Sequence, residues 1–116
     1  MSAAPEPALD PAVQHPTKLA VVAFLSGCVD ADFKTVRDRL DLSDSALSRT
    51  LSGLEESGHV SVRKGFVGKR PRTWVALTAE GRRKLAAHLA ALQAIAAGAL
   101  AQASDLPDGD RSPEVA

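Results

Sequence analysis

LSDSALSRTLSGLEESGHVSVRKGFVGKRPRTWVALTAEGRRKL, residues 42–85, changes its hydrophobic period twice. Between Ser43 and Glu56, Leu47, Leu51 and Leu54 recur at helical spacing and form one apolar stripe. Ser43 is a suitable N-cap, Asp44 places a negative charge at the positive end of the helix, and Gly58 supplies the stop. Ser45, Arg49 and Ser52 fall nearly opposite the leucine stripe, with Ser48 at its flank. From His59 the pattern alternates: Val60 and Val62 share one face, Ser61 and Arg63 the other. TWVALT (73–78) alternates again, with Val75 and Leu77 inward. GFVGKRPR between them is turn-rich, so the expectation is a β-hairpin with a long basic tip. Thr78 then caps a last helix that has Glu80 in its first turn.

Upstream, PTKLAVVAFLSG (16–27) predicts a helix opened by Pro16 and closed by Gly27. Its Leu19, Val22, Phe24 and Leu25 span more than half the circumference, which implies burial on two sides or a shared surface with a second chain. Phe33, Val36 and Leu40 mark one face of a short helix starting near Asp32. That helix and the next, joined by the tight DLS turn, make a helix-turn-helix. Downstream, the last helix runs from about 79 to 103. Leu85, Leu89, Leu92, Ala96, Ala99 and Ala103 keep a four-three spacing along it, a narrow seam suited to another helix. The expected class is mainly α with a small β-hairpin (α+β), as one domain over residues 15–103. Residues 1–14, with Pro5, Pro7 and Pro11, read as a disordered or extended tail, and 104–116 as a flexible acidic one.

The formal charge of the 116 residues is zero, but it is unevenly spread. Residues 59–84 carry eight basic side chains against Glu80, a local sum of +7, while the flanking segments are acidic. A concentrated field of this kind matters more to an anionic partner than the total does. Cys28 is the single cysteine, so no disulfide forms within the chain and a reducing compartment fits. It reads as a structural thiol, because no second cysteine could resolve an oxidised form. No signal peptide is visible, and LAAHLAALQAIAAGALA (85–101) is mostly alanine with His88 and Gln93 inside it, so no membrane span is expected. His15, His59 and His88 lie far apart in sequence without carboxylates or thiols at ligand spacing; neither a metal site nor a cofactor is expected.

The order helix, helix, turn, helix, basic hairpin, long helix is that of a winged helix-turn-helix. Residues 42–85, through LEESGHV and ending LTAEGR, resemble the small single-domain winged-helix transcriptional regulators of the MarR/ArsR-like group, and HPTKLAVVAFL (15–25) resembles their first helix. The match spans roughly residues 15–100. It implies a homodimeric, cytoplasmic, nucleoid-associated protein of a bacterium or archaeon that binds a palindromic double-stranded DNA operator. A repressor is the expected role, and the sequence names no small-molecule effector.

Short hydroxyls let a helix backbone approach the floor of a major groove, and Arg49 can reach a guanine edge or a phosphate. The resemblance places base reading on Ser45, Ala46, Ser48, Arg49 and Ser52, with Ser43 beside them at the helix start. Arg63, Lys64, Lys69, Arg70 and Arg72 have no acidic neighbour in sequence. They repel one another unless a polyanion neutralises them, so the hairpin reads as a DNA-binding wing. Trp74 reads as packing for the root of the wing; one aromatic there is too few for single-strand binding by stacking. The last-helix seam of Leu85, Leu89, Leu92, Ala96 and Ala99, with Leu19 and Val22, is the expected dimer interface. Two other functions compete. A winged helix used for protein–protein interaction would not need the basic wing, and an enzyme would need a catalytic grouping that is nowhere visible.

Overall fold

A computed structural model describes residues 5–106. After a 310 turn at Pro11–Val13, the order is α1 (Pro16–Ser26), β1 (Ala31–Asp32), α2 (Phe33–Arg39), α3 (Asp44–Glu56), β2 (Val60–Val67), β3 (Arg70–Leu77) and α4 (Ala79–Ser104). The three strands form one antiparallel sheet in the order β1-β3-β2. This is the expected α+β winged helix, with one element that periodicity did not reveal. β1 is two residues long, pairing Ala31 with Val75 and Asp32 with Trp74. Two residues cannot display an alternation.

Each helix end has a local cause. Asp32 accepts from the Lys34 N–H and Ser43 from the Ala46 N–H, capping α2 and α3. α3 ends in a Schellman motif: Gly58 sits at φ +85°, with the His59 N–H on the Leu54 carbonyl and the Gly58 N–H on that of Glu55. α2 ends the same way, with Asp41 at φ +56° in the left-handed position that glycine usually fills. Arg37 then bridges the turn, its guanidinium 2.7 Å from Asp44 and 2.9 Å from Asp38.

The core gathers Val21, Val22 and Leu25 of α1, Val36 of α2 and the leucine stripe of α3. Val60, Val75 and Leu77 of the sheet and Leu85 of α4 complete it. Cys28 is half-buried, with its thiol on the Phe24 carbonyl. Val22 and Leu85 therefore serve the intramolecular core, and they leave the expected dimer surface because nothing of them reaches solvent beyond 5%.

The N-terminal segment also departs from expectation. Val13 is fully buried and the Ala8 N–H donates to the Ala87 carbonyl of α4, so residues 8–14 are docked chain and not a tail. Asp10 holds them. One carboxylate oxygen accepts from the Ala12 N–H, the other lies 2.6 Å from His59 Nε2, and the Asp10 N–H donates to His88 Nδ1 at 3.0 Å. The two histidines that lie far apart in sequence are both buried and meet at this aspartate. Residues 107–116, most of the expected acidic tail, lie outside the described residues.

α4 is long and apolar enough to cross a membrane by length and composition alone. Its first half is instead fixed against the domain by Gly81, Leu85, His88 and Ala91. That stripe is rotated from the expected seam, whose residues Leu89, Leu92, Ala96 and Ala99 stay exposed. From Leu92 to Ser104 every residue is exposed.

The close approach that sets this arrangement is at Gly81. A Cβ there would collide with the His59 backbone carbonyl, whereas one at Gly98 meets nothing within 4 Å. Replacing helical glycine by alanine gains about 1 kcal/mol of propensity, but overpacking against backbone costs about 1–3 kcal/mol or more. Gly81→Ala should therefore destabilise, and Gly98→Ala should be neutral or stabilising, with melting temperatures moving in opposite directions.

Burial works to raise the Asp10 pKa; hydrogen bonds from His59 and the Ala12 N–H, with the charges of His59 and Lys84, outweigh it, leaving the carboxyl below its ordinary 3.8. A depressed carboxyl contributes stability that is present above the unfolded pKa and lost as pH falls through the folded one. Asp10→Asn should cost about 1.5–3 kcal/mol at neutral pH, and urea melts should show that gap shrinking below the ordinary carboxyl value.

Candidate nucleic-acid interface

α3 turns Leu47, Leu51 and Leu54 inward, which leaves Ser43, Ser45, Ser48, Arg49 and Ser52 exposed along its outer side, with Ala46 half-buried. Two grooves flank it. One runs between α3 and the start of α1 and is lined by His15, Thr17, Lys18, Ala46 and Arg49. The other runs between α3 and the hairpin, lined by Ser48, Ser52 and Glu55 on one side and Val62, Lys64 and Thr73 on the other. Short side chains on the helix thus lie between two channels, the first lined by Lys18 and Arg49 and the second by Lys64 together with Glu55. Lys18 contributes to this face and was not singled out by sequence pattern, because it is the single lysine or arginine among residues 1–33.

The hairpin differs from the expected long loop. Regular pairing continues to Val67 and Arg70, leaving a two-residue turn at Gly68 and Lys69. Gly68 takes φ +64°, the left-handed conformation a tight hairpin turn requires. Glycine and proline within GFVGKRPR suggested a loop, but Gly65 and Pro71 lie in the strands. Gly65 leaves room for the ring of Trp74, which a Cβ there would approach to 3.1 Å, and β3 keeps Pro71 near the tip.

Strand alternation sorts the wing's charge onto two faces. Arg63, Arg72 and Arg70 share the outer face with Trp74. Arg63 lies over the Trp74 ring at 4.3 Å from its centroid and 3.8 Å from Asp30, while Arg72 lies 3.4 Å from Asp32. The expectation that all five wing cations lack an acidic partner is therefore corrected for Arg63 and Arg72. β1 and the residue before it bring Asp32 and Asp30 to the wing from 40 and 33 residues away, which no local charge count detects. Among the described residues Lys64, Lys69 and Arg70 make no ion pair, and all three are exposed. Trp74 packs within the wing, in line with its structural reading. Arg82 and Lys84 are engaged inside the chain: the guanidinium donates to the Ser26 carbonyl at the end of α1, and the ammonium pairs with Glu80.

The family model for the winged helix DNA-binding domain matches residues 17–96. The chain belongs to the winged helix DNA-binding domain family. An uncharacterized protein of Methanocaldococcus jannaschii is 31% identical over 65 residues, which cover 56% of this chain and 71% of the relative. The solved transcriptional regulator homologue protein from Pyrococcus horikoshii superposes with a TM-score of 0.72 at 29% identity, covering 82% of this chain and 89% of that one. Reduced AbfR, solved bound to DNA, is 24% identical with a TM-score of 0.62 over 76% of this chain and 69% of its own. At that identity it bears on the fold alone. Among the described residues no group of three or more potential metal ligands is found.

Proposed function

We propose that this winged-helix protein is a transcriptional regulator that binds double-stranded DNA as a homodimer, with α3 in the major groove and the wing on the adjacent minor groove or its phosphates. The observation that supports this best is the pairing of one exposed Ser/Arg helix face with a wing whose Lys64, Lys69 and Arg70 lack acidic partners among the described residues. Ser45, Ala46, Ser48, Arg49 and Ser52 are the base-reading candidates, and Ser43 stands at the helix start. The likeness to the transcriptional regulator homologue protein of Pyrococcus horikoshii adds to the reading. Repression by blocking a promoter and residence in the cytoplasm are the simplest roles consistent with it. A catalytic role has nothing to support it in this family of DNA-binding domains. A protein-interaction module, the competing function, would leave the unpaired wing cations unexplained.

Homodimerisation rests on the exposed aliphatic side of α4. Leu89 and Leu92 are 42% and 41% exposed, and Ile95 and Leu100 are 59% and 70% exposed, an aliphatic surface with nothing over it in one chain. Half-buried Leu19 and Phe24 of α1 complete a surface that a second copy would cover. Substituting both Leu89 and Leu92 with Asp should leave a folded monomer, since neither is in the core; unchanged dimer mass by light scattering would remove this interface.

For the DNA itself, a dimer neutralising about eight phosphates should show log K falling against log salt with a slope near −7. Replacing Lys69 and Arg70 by Ala should flatten the slope by up to about 4, because each substitution occurs twice per dimer. Replacing Arg63 and Arg72, which are held by Asp30, Asp32 and Trp74, should flatten it less. Parallel lines for wild type and the Lys69/Arg70 variant between about 50 and 200 mM salt would place the wing off the DNA.

A further inference from the structure

The wing exposes two large apolar side chains, Phe66 and Val67, and Phe66 is the more exposed. It is 70% exposed two residues before the turn, although the chain contains only three phenylalanines and one tryptophan with which to build a core. Alternation places Phe66 on the strand face that also carries Val60, Val62 and Lys64, and its cross-strand partner is Pro71. At the root of this face Val62 and Lys64 look across the groove at Ser48 and Ser52 of α3. Phe66 and Pro71 therefore prolong, toward the tip, the side of the wing that faces the recognition helix. Of the unpaired cations, Lys64 shares this face, Lys69 sits in the turn beside it, and Arg70 stands on the opposite face next to Pro71 in sequence.

An exposed apolar side chain at the end of a cationic ribbon is poorly explained by solvent. It fits a polyanion whose interior is apolar, which is the character of a duplex: charged ridges over stacked bases. A ribbon of two strands spaced about 4.8 Å apart, before side chains are counted, is a tight occupant for a minor groove about 6 Å wide. Entry is easier where an apolar wedge parts a base step and the groove opens. Pro71 suits the backing position because it stiffens β3 beside the aromatic ring.

We infer that Phe66, backed by Pro71, is an apolar wedge that partly unstacks one base step in each half-site, making the wing selective for flexible pyrimidine–purine steps. The inference rests on the wing lying in the minor groove, as proposed above. It adds a specificity that depends on deformability and not on hydrogen bonds to base edges. The occupant is duplex DNA; a second copy of the chain at this tip is the alternative that the test separates.

The probe is a duplex selected by the wild-type protein from a random-sequence pool, with 2-aminopurine replacing adenine at successive positions. Wild type should raise the fluorescence at one step per half-site, Phe66→Leu should keep most of that rise, and Phe66→Ala should abolish it. Phe66→Ala should also bind roughly five- to tenfold more weakly, the low end of what one base pair is worth in a specific site. Its slope against log salt should match wild type, because no charge is removed. A stiff A-tract in place of the flexible step should weaken wild type but not Phe66→Ala. No rise with wild type, an equal rise with Phe66→Ala, or a smaller assembly mass for Phe66→Ala would each overturn the wedge. Failure of the wing reading itself looks different: the Lys69/Arg70 variant would then keep the wild-type salt slope. A thermal melt of Phe66→Ala close to wild type is expected from the exposure of the ring, and it keeps the comparison a test of contact.

Discussion

The Thr78 N–H donates to the His59 carbonyl at 2.9 Å, and the Thr78 hydroxyl lies 2.6 Å from the Gly58 carbonyl while accepting from the Gly81 N–H. These bonds join the end of α3, the first residues of the wing and the start of α4 at one point. Gly58 permits the left-handed exit from α3, and Gly81 permits backbone to lie against backbone where any side chain would intrude. Asp10 closes the joint from behind through His59 and His88. The angle between wing, α3 and α4 is thus set by small residues and hydrogen bonds, with the leucines filling the space beneath.

Much of this was legible because its causes are local. Ser43, Gly58 and the leucine stripe define α3 without help from the rest of the chain, and Val60, Val62, Val75 and Leu77 mark the strands. What could not be read is carried by contacts between distant residues. Asp10 meets His59 across 49 positions and His88 across 78, so a proline-containing segment looked like a tail. Leucine spacing along α4 marked a seam for a second helix at Leu85, Leu89 and Leu92, but the face that α4 turns to its own domain, Gly81, Leu85, His88 and Ala91, has no such pattern. A glycine and a histidine carry no apolar signal, although both are fixed tightly here. Of the site, the residue types on α3 and the wing were recognisable, but the division of the wing into two faces required the register.

That division changes how the chain's neutrality is organised. Acidic residues are not spread as a uniform counterweight to the basic block. Asp30 and Asp32 reach the outer face of the wing and take up Arg63 and Arg72, while Asp32 also caps α2. These are exposed pairs of small individual strength. Their effect is on position: they hold long side chains to one side and leave Lys64, Lys69 and Arg70 as the local excess. Glu55 stands at the far end of the groove between α3 and the wing, so the positive field is concentrated toward the tip.

β2 is an edge of the sheet along its whole eight residues, with β3 on one side only. An open strand edge is a template on which another chain can build, and fibrous association begins at such edges. Arg63 and Lys64 sit in the middle of this one, and Gly65 interrupts its β-forming sequence. Mutual repulsion between two such edges keeps copies of the wing from zipping together. The basic side chains of the strand therefore act as gatekeepers of solubility, and charge lets the strand remain long and uncovered.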